Sequence, residues 1–271
     1  ELMSAEGRHH SEDDAPLPRA GQDEDRMIHD APTPASPALP TSRGLGRWLS
    51  STALGGRSLD GARHIAHRQL VLISDPGPDP DDIKVLLIAA TMHRARRLTL
   101  RAVVCNGGHQ ARERARLARC VLNHLGEQSI PVGYGTEGKP YEPRPHEYAL
   151  EGYESVLESS LEPGGPLLLR TLQDAQPRSL TFVCISSLRD VAELIASHPE
   201  LVLSRVAEMS IQGGLEAVDE ADLEGQWRPD SSVNNEFDTD AATAVYAFCL
   251  ENGLPMAVVS RHAVPLLPMQ L

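Results

Sequence analysis

No apolar run in this 271-residue chain approaches the roughly 18 residues of a membrane-spanning helix, so a soluble, non-membrane protein is expected. Basic residues are also in short supply: 25 Lys and Arg stand against 38 Asp and Glu, a formal charge of −13. That balance argues against binding to nucleic acid or to an anionic membrane surface. The four cysteines, Cys105, Cys120, Cys184 and Cys249, lie far apart, each among apolar neighbours. None forms a Cys-x-x-Cys pair or a zinc-ligand spacing with histidine, so buried, reduced thiols in a reducing compartment are expected. No Gly-x-Gly-x-x-Gly follows the first strand pattern, which argues against a generic dinucleotide-binding domain. EF-hand spacing, a His-Glu zinc motif and internal repeats are all absent. The chain opens at Glu1 and shows no charged-then-apolar leader, so no secretory signal is seen.

What is present begins with 41% hydrophobic residues, enough for one sizeable core, or for one domain and a tail. Residues 1–66 contrast with the rest: "SEDDAPLPRAGQDEDR" is charged with almost no large apolar residue, and "APTPASPALPTSRGLG" is rich in Pro, Ser, Thr and Ala. Such composition cannot bury enough surface to offset ordering entropy, so residues 1–66 read as a disordered leader and residues 67–271 as the folded domain.

From residue 68 onward, short apolar runs alternate with helical patterns. "RQLVLIS", "TLRAVVCN", "SIPVGYG", "SLTFVCIS", "VAEMSIQGG" and "LPMAVVS" read as strands. "DIKVLLIAATMHRARRL", "ARERARLARCVLNHLG", "SLRDVAELIASH" and "TDAATAVYAFCLENG" read as helices, with a looser segment before "SLTFVCIS". The alternation predicts an α/β fold, a mostly parallel sheet with helices on both faces. In such sheets ligands bind beyond the carboxyl ends of the strands. The residues there are Asp75, Asn106, Ser186 with Ser187, and Gln212 with Gly213, a ring suited to a polyhydroxylated ligand.

The first of these exits is crowded. "ISDPGPDPDD" places Asp75, Asp79, Asp81 and Asp82 within eight positions, in a turn stiffened by three prolines. One reading is helix capping, since aspartate oxygens accept orphan N–H bonds at a helix N-terminus. Capping needs one aspartate, however, and holding several together calls for a cation, a bound proton or full hydration. A hard cation such as Ca²⁺ takes six to eight oxygen ligands at roughly 2.3–2.6 Å, many from aspartate.

The loop followed by an apolar helix resembles the Asp-x-Asp-Pro-Gly-x-Asp-Asp signature of the nucleoside hydrolase (inosine-uridine preferring) family. "AVVCNGG", "IPVGYG", "TFVCISSLRDVAEL", "MSIQGG" and "VNNEFDTDAA" follow in the family's order, over residues 68–262. The resemblance implies a Rossmann-like nucleoside-hydrolase fold, Ca²⁺ as cofactor, and a small-molecule riboside as partner. It implies Asp75 as metal ligand and general base, Asp82 as a second ligand, and Asp81 as ligand to the metal and to ribose hydroxyls. The main-chain carbonyl of Ile185 falls at a ligand position. Asn106, Gln212 and Asn234 fall at substrate-binding positions.

Departures from the family pattern accompany the likeness. The loop is two residues longer through Asp79 and Pro80, so Asp75 and Asp79 compete for the first-ligand role. Ser232-Val233-Asn234 replaces a Glu-Phe-Asn triplet, and Gln212 replaces a methionine. The family's late His-Asp pair, with its last metal ligand, is expected beyond Leu271, so the chain reads as a fragment or truncated relative lacking its C-terminal part. The leader, longer loop and altered triplet are similar to nucleoside-hydrolase-like type III secreted effectors of plant-pathogenic bacteria, the XopQ group. That implies a bacterial cytoplasmic protein secreted into a host cell. It also implies a 14-3-3-type host adaptor reading phosphoserine at Ser50 (after Arg47) or Ser58 (after Arg57), although such pairs are common in disordered tails.

Two function classes remain open at this level: Ca²⁺-dependent hydrolysis of a riboside's N-glycosidic bond, or an inactive riboside or ADP-ribose binder that engages host proteins. Tyr148 and Tyr153 read equally as lids over a base or as loop packing. His109 reads as a cleft or a surface residue, and His146 as solvated. The run "RERARLAR" reads as a solvated helix face.

Overall fold

The computed structural model describes residues 68–77, 79–107, 110–137, 148, 150–217, 227–260 and 263, so the expected leader, His109 and His146 lie outside the described residues. The chain enters through β1 (Arg68–Ser74), α1 (Pro80–Arg94), β2 (Leu98–Cys105), α2 (Ala111–His124) and β3 (Val132–Tyr134). Two short 3₁₀ turns precede β4 (Glu162–Pro163) and α3 (Gly164–Gln173). Then follow β5 (Leu180–Cys184), α4 (Arg189–Ser197), α5 (Pro199–Arg205) and β6 (Val206–Gln212). A small antiparallel pair, β7 (Leu215–Ala217) and β8 (Trp227–Pro229), leads to α6 (Val233–Glu236), α7 (Thr239–Glu251) and β9 (Met256–Val259).

Seven strands form one parallel sheet in the order β4-β3-β2-β1-β5-β6-β9. The burial of β1 explains its uniform apolar sequence: Val71, Leu72 and Ile73 are fully buried because both faces of the sheet are covered. Side chains alternate between faces. Val71 and Ile73 pack in a core with Leu168 of α3, Val191 of α4 and Val245 of α7. Leu72 packs in the other core with Leu86 of α1 and Ala118 of α2. The expected α/β class and parallel sheet are what the chain adopts.

The topology fixes the location of the site. After β1 the chain builds outward through β2, β3 and β4, then returns to the opposite side of β1 for β5, β6 and β9. The crevice between the exits of β1 and β5 is therefore the topological switch point, where open parallel sheets bind ligands. Asp75 leaves β1 on one side, and Ile185, Ser186 and Ser187 leave β5 on the other.

Some elements escaped the sequence reading. The looser segment contains β4 and α3, whose Gly164-Gly165-Pro166 opening reads as a chain breaker but occupies the first helical turn, where unpaired N–H groups make proline tolerable. Capping of α1 by aspartate is also corrected. Asp79 stands at the N-cap position without a side-chain cap hydrogen bond, and Pro80 sets the helix start. An aspartate does cap α7, where the Asp238 carboxylate accepts from the Ala241 N–H at 3.0 Å.

Leu72 anchors the central strand to the α1/α2 layer, and Leu72→Ala is expected to lower unfolding free energy by about 2–5 kcal/mol. Denaturant titration of the two proteins checks this.

Candidate active site at the strand exits

The acids of the turn meet at the end of β1. Asp82, in the first turn of α1, points back toward the strand rather than along its own helix. Its Oδ1 accepts the Ser74 hydroxyl at 2.5 Å and the Asp75 backbone N–H at 3.0 Å. Asp75 is thus held beside Asp82, whereas Asp79 and Asp81 are exposed. Burial, then the neighbouring Asp82 charge, push the Asp75 carboxyl up to about 8. Asp82 is also raised, chiefly by burial.

A cation already stands at this cluster. The Arg114 guanidinium, from α2, lies 3.7 Å from Asp75 Oδ2 and donates to the main-chain oxygens of Asp75 and Pro76. Arg114 and Arg119 are buried, so the solvated-face reading of "RERARLAR" is corrected. The signal was available in the spacing: Ala111, Arg114, Ala115, Ala118, Val121 and Leu122 make one buried helical stripe, with Arg114 inside it.

A second network extends from Asp75 across the sheet. The Ser186 hydroxyl donates to Asn106 Oδ1 at 2.6 Å and also faces the Asp75 carboxyl. Its contact with Asp75 favours the ionised carboxylate, but burial and the neighbouring Asp82 charge outweigh it. Both amide hydrogens of Asn106 are committed: Nδ2 donates to Ser187 O at 3.1 Å and to Asp190 Oδ2 at 2.5 Å. Asp190 Oδ1 accepts the Thr136 N–H and hydroxyl, both at 2.9 Å. One buried carboxylate, which the sequence reading passed over, therefore ties together the exits of β2, β3 and β5. No motif marks it; "SLRDVAEL" reads as an ordinary helix start.

The remaining candidates form a third group. Asn234 Nδ2 donates to the carbonyls of Ile185 and Gln212, both at 3.0 Å, which joins the exits of β5 and β6. Both amide hydrogens are thereby used, and the Ile185 carbonyl has one acceptor position engaged. Gln212, Ser232 and Asn234 line a cavity of about 370 Å³ beside these exits. Ser232 Oγ is buried there without a hydrogen-bond partner among the described residues. Below it, Asn235 and the buried Asp230 carboxylate bond at 3.0 Å, and Asp230 also accepts the Ser232 N–H at 2.9 Å.

Tyr148 and Tyr153 stack on each other with ring centroids 5.6 Å apart, and Tyr153 is buried. All four cysteines are free and buried. No helix among the described residues is long and apolar enough to cross a membrane.

The donor chemistry suits a hard cation. Asp75, half-buried, and Asp82, buried, supply carboxylate oxygens, and with Asp81 nearby the acids outnumber the single cation Arg114. Among the described residues no group of three His, Cys, Asp or Glu side chains surrounds one point, so further ligands would have to be carbonyl, water or substrate oxygens.

The family model described as inosine-uridine preferring nucleoside hydrolase matches residues 70–266. The chain belongs to that family. Among curated relatives, the pyrimidine-specific ribonucleoside hydrolase RihA of Klebsiella pneumoniae (strain 342) is 28% identical over 214 residues, covering 73% of this chain and 63% of the relative. Among solved structures, the type III effector protein XopQ complexed with adenosine diphosphate ribose is 27% identical with a TM-score of 0.61. The match covers 73% of this chain and 57% of XopQ. The inosine-uridine preferring nucleoside hydrolase from Bacillus anthracis shares the fold at 19% identity and a TM-score of 0.56, covering 75% of this chain and 68% of that one. The chain thus spans less than two thirds of the length of RihA and of XopQ.

The raised Asp75 carboxyl sets a pH dependence for the protein in chelator. A group bound more firmly to its proton in the fold than in the unfolded chain adds stability that is complete below the unfolded value. That stability is lost as pH rises through the folded value. Melting temperature is expected to fall as pH rises from about 4 to about 8. Asp75→Asn, which cannot ionise, is expected to flatten the curve, as read by thermal melts across that range.

Proposed function

We propose that this chain binds a riboside at the β1/β5 crevice and hydrolyses its N-glycosidic bond. The observation that carries the reading is the pairing of Asp75 and Asp82 at the switch point, two partly desolvated acids, with the Asp82 carboxylate fastened to the Ser74 hydroxyl and to the Asp75 backbone N–H. Ca²⁺ is the proposed cofactor because every donor there is a hard oxygen. Asp75 and Asp82 would hold it, with the Ile185 carbonyl as a further oxygen. When bound, the ion supplies charge that acidifies water and grips vicinal hydroxyls.

The protein's own groups carry the rest. Asp75 accepts the proton of the attacking water, and its raised affinity for protons suits a general base working near neutrality. Asp81, at the crevice mouth, accepts from ribose hydroxyls. Cleavage develops positive charge on the sugar ring, and the carboxylates stabilise it electrostatically. Asn106 and Asp190 position Ser186 against Asp75. Gln212 and Asn234 present their side-chain oxygens to the sugar from the neighbouring cavity.

A second reading has a specific observation behind it. Arg114 already neutralises part of the acid cluster, and a neutral Ser232 faces the cavity, so a protein that binds a riboside such as ADP-ribose without turnover also fits. Secretion as an effector, and adaptor binding through phosphorylated Ser50 or Ser58, belong to the same proposal and concern residues outside the described ones.

Turnover separates the two readings. The protein incubated with nucleosides and Ca²⁺ is expected to release free ribose, measured as reducing sugar. Calorimetric riboside binding with no ribose released would leave only the binder. Asp82→Asn keeps an acceptor for Ser74 and Asp75 while removing the charge. It is expected to weaken Ca²⁺ binding at least roughly tenfold and to abolish hydrolysis, with an unchanged circular dichroism spectrum.

A further inference from the structure

Arg114 is an expensive residue to bury, because a guanidinium taken from water needs full compensation. Its side chain is 7% exposed, less than the 15% of the Asp75 side chain it faces. Among the described residues, compensation includes three oxygens of one short turn: Asp75 Oδ2 at 3.7 Å, the Asp75 carbonyl, and the Pro76 carbonyl at 3.4 Å. The turn is shaped around the cation. A Cβ at residue 77 would stand 2.8 Å from Arg114 Nη1, so glycine there leaves room for the guanidinium. A planar, permanently charged fork can serve several oxygens at once, which a lysine ammonium on a flexible stem does less well.

We infer that Arg114 is the resident counter-ion of the acid turn, a positioning residue that keeps Asp75 and its backbone in place when no dication is bound. The inference rests on the reading of Asp75 and Asp82 as cation ligands. With Arg114 present, the turn stays assembled between occupants, and an arriving dication adds to a partly neutralised site. Without that charge the two acids repel unopposed once both are ionised, and the fold in this region depends more heavily on the dication. A packing role predicts otherwise, since lost packing around Arg114 is not repaired by an ion bound to the carboxylates.

The test uses the full chain and thermal melts in EDTA and in saturating CaCl₂, for wild type, Arg114→Gln, Arg114→Lys and Gly77→Ala. Glutamine keeps one N–H donor but removes the charge; lysine keeps the charge. In EDTA, Arg114→Gln is expected to melt roughly 4 °C or more below wild type, with Arg114→Lys between them. The Ca²⁺-induced rise in melting temperature is expected to be larger in Arg114→Gln than in wild type and near wild type in Arg114→Lys. Gly77→Ala, which crowds the guanidinium, is expected to move the same way by less, and it carries the test should Arg114→Gln fail to fold. Equal losses in both variants, unchanged by Ca²⁺, would overturn the counter-ion role. If Ca²⁺ neither binds to wild type in calorimetry nor raises its melting temperature, the cation-site reading falls. The counter-ion inference then stands only if Arg114→Lys melts above Arg114→Gln in EDTA.

Discussion

Mutual repulsion between Asp75 and Asp82 is the constraint around which this end of the molecule is organised. Two carboxylates with restricted access to water would separate if the chain allowed it. Here it does not. Asp82 is fastened to Ser74 and to the Asp75 backbone, and Asp75 leaves a central strand whose side chains are buried on both faces. Burial first, and the repulsion second, therefore appear as raised proton affinity rather than as movement, and Arg114 offsets part of it. Acids held together in this way can take up a proton or a cation.

The surrounding scaffold converts strand exits into a rigid floor. Asp190 gathers β2, β3 and β5 through Asn106 and Thr136, and Asn234 gathers β5 and β6 through two carbonyls. Each uses one side chain to satisfy polar groups that the ends of a parallel sheet leave unpaired. Asn106 and Asn234 thus act first on the protein, and any contact with a sugar falls to their remaining oxygen valences or to the residues they orient. A fully satisfied buried network of this kind resists distortion, because breaking one bond strands another.

Most strands and helices were legible because fully buried parallel strands leave continuous apolar runs and amphipathic helices leave a period. "RQLVLIS" coincides with β1 to the residue. β4 and α3 were not legible, because two strand residues carry no pattern and a Gly-Gly-Pro start looks like a break. The acid turn announced itself through the density of like charges in a rigid loop, which has few other uses. Arg114 was hidden among three other arginines of one helix, and only its phase relative to the alanines set it apart.

By itself, the sequence determined the α/β alternation, the polar ring at the strand exits and the acid cluster, since each is a property of residues close together along the chain. Tertiary structure alone decided that β5 returns beside β1 to make the crevice, that Asp82 turns back onto Ser74 instead of capping its helix, and that Arg114 and Asp190 join the site. The last two bring together residues 39 and 84 positions apart, Asp75 with Arg114 and Asn106 with Asp190. Contacts at such separations depend on strand order and helix phase, which no local pattern encodes.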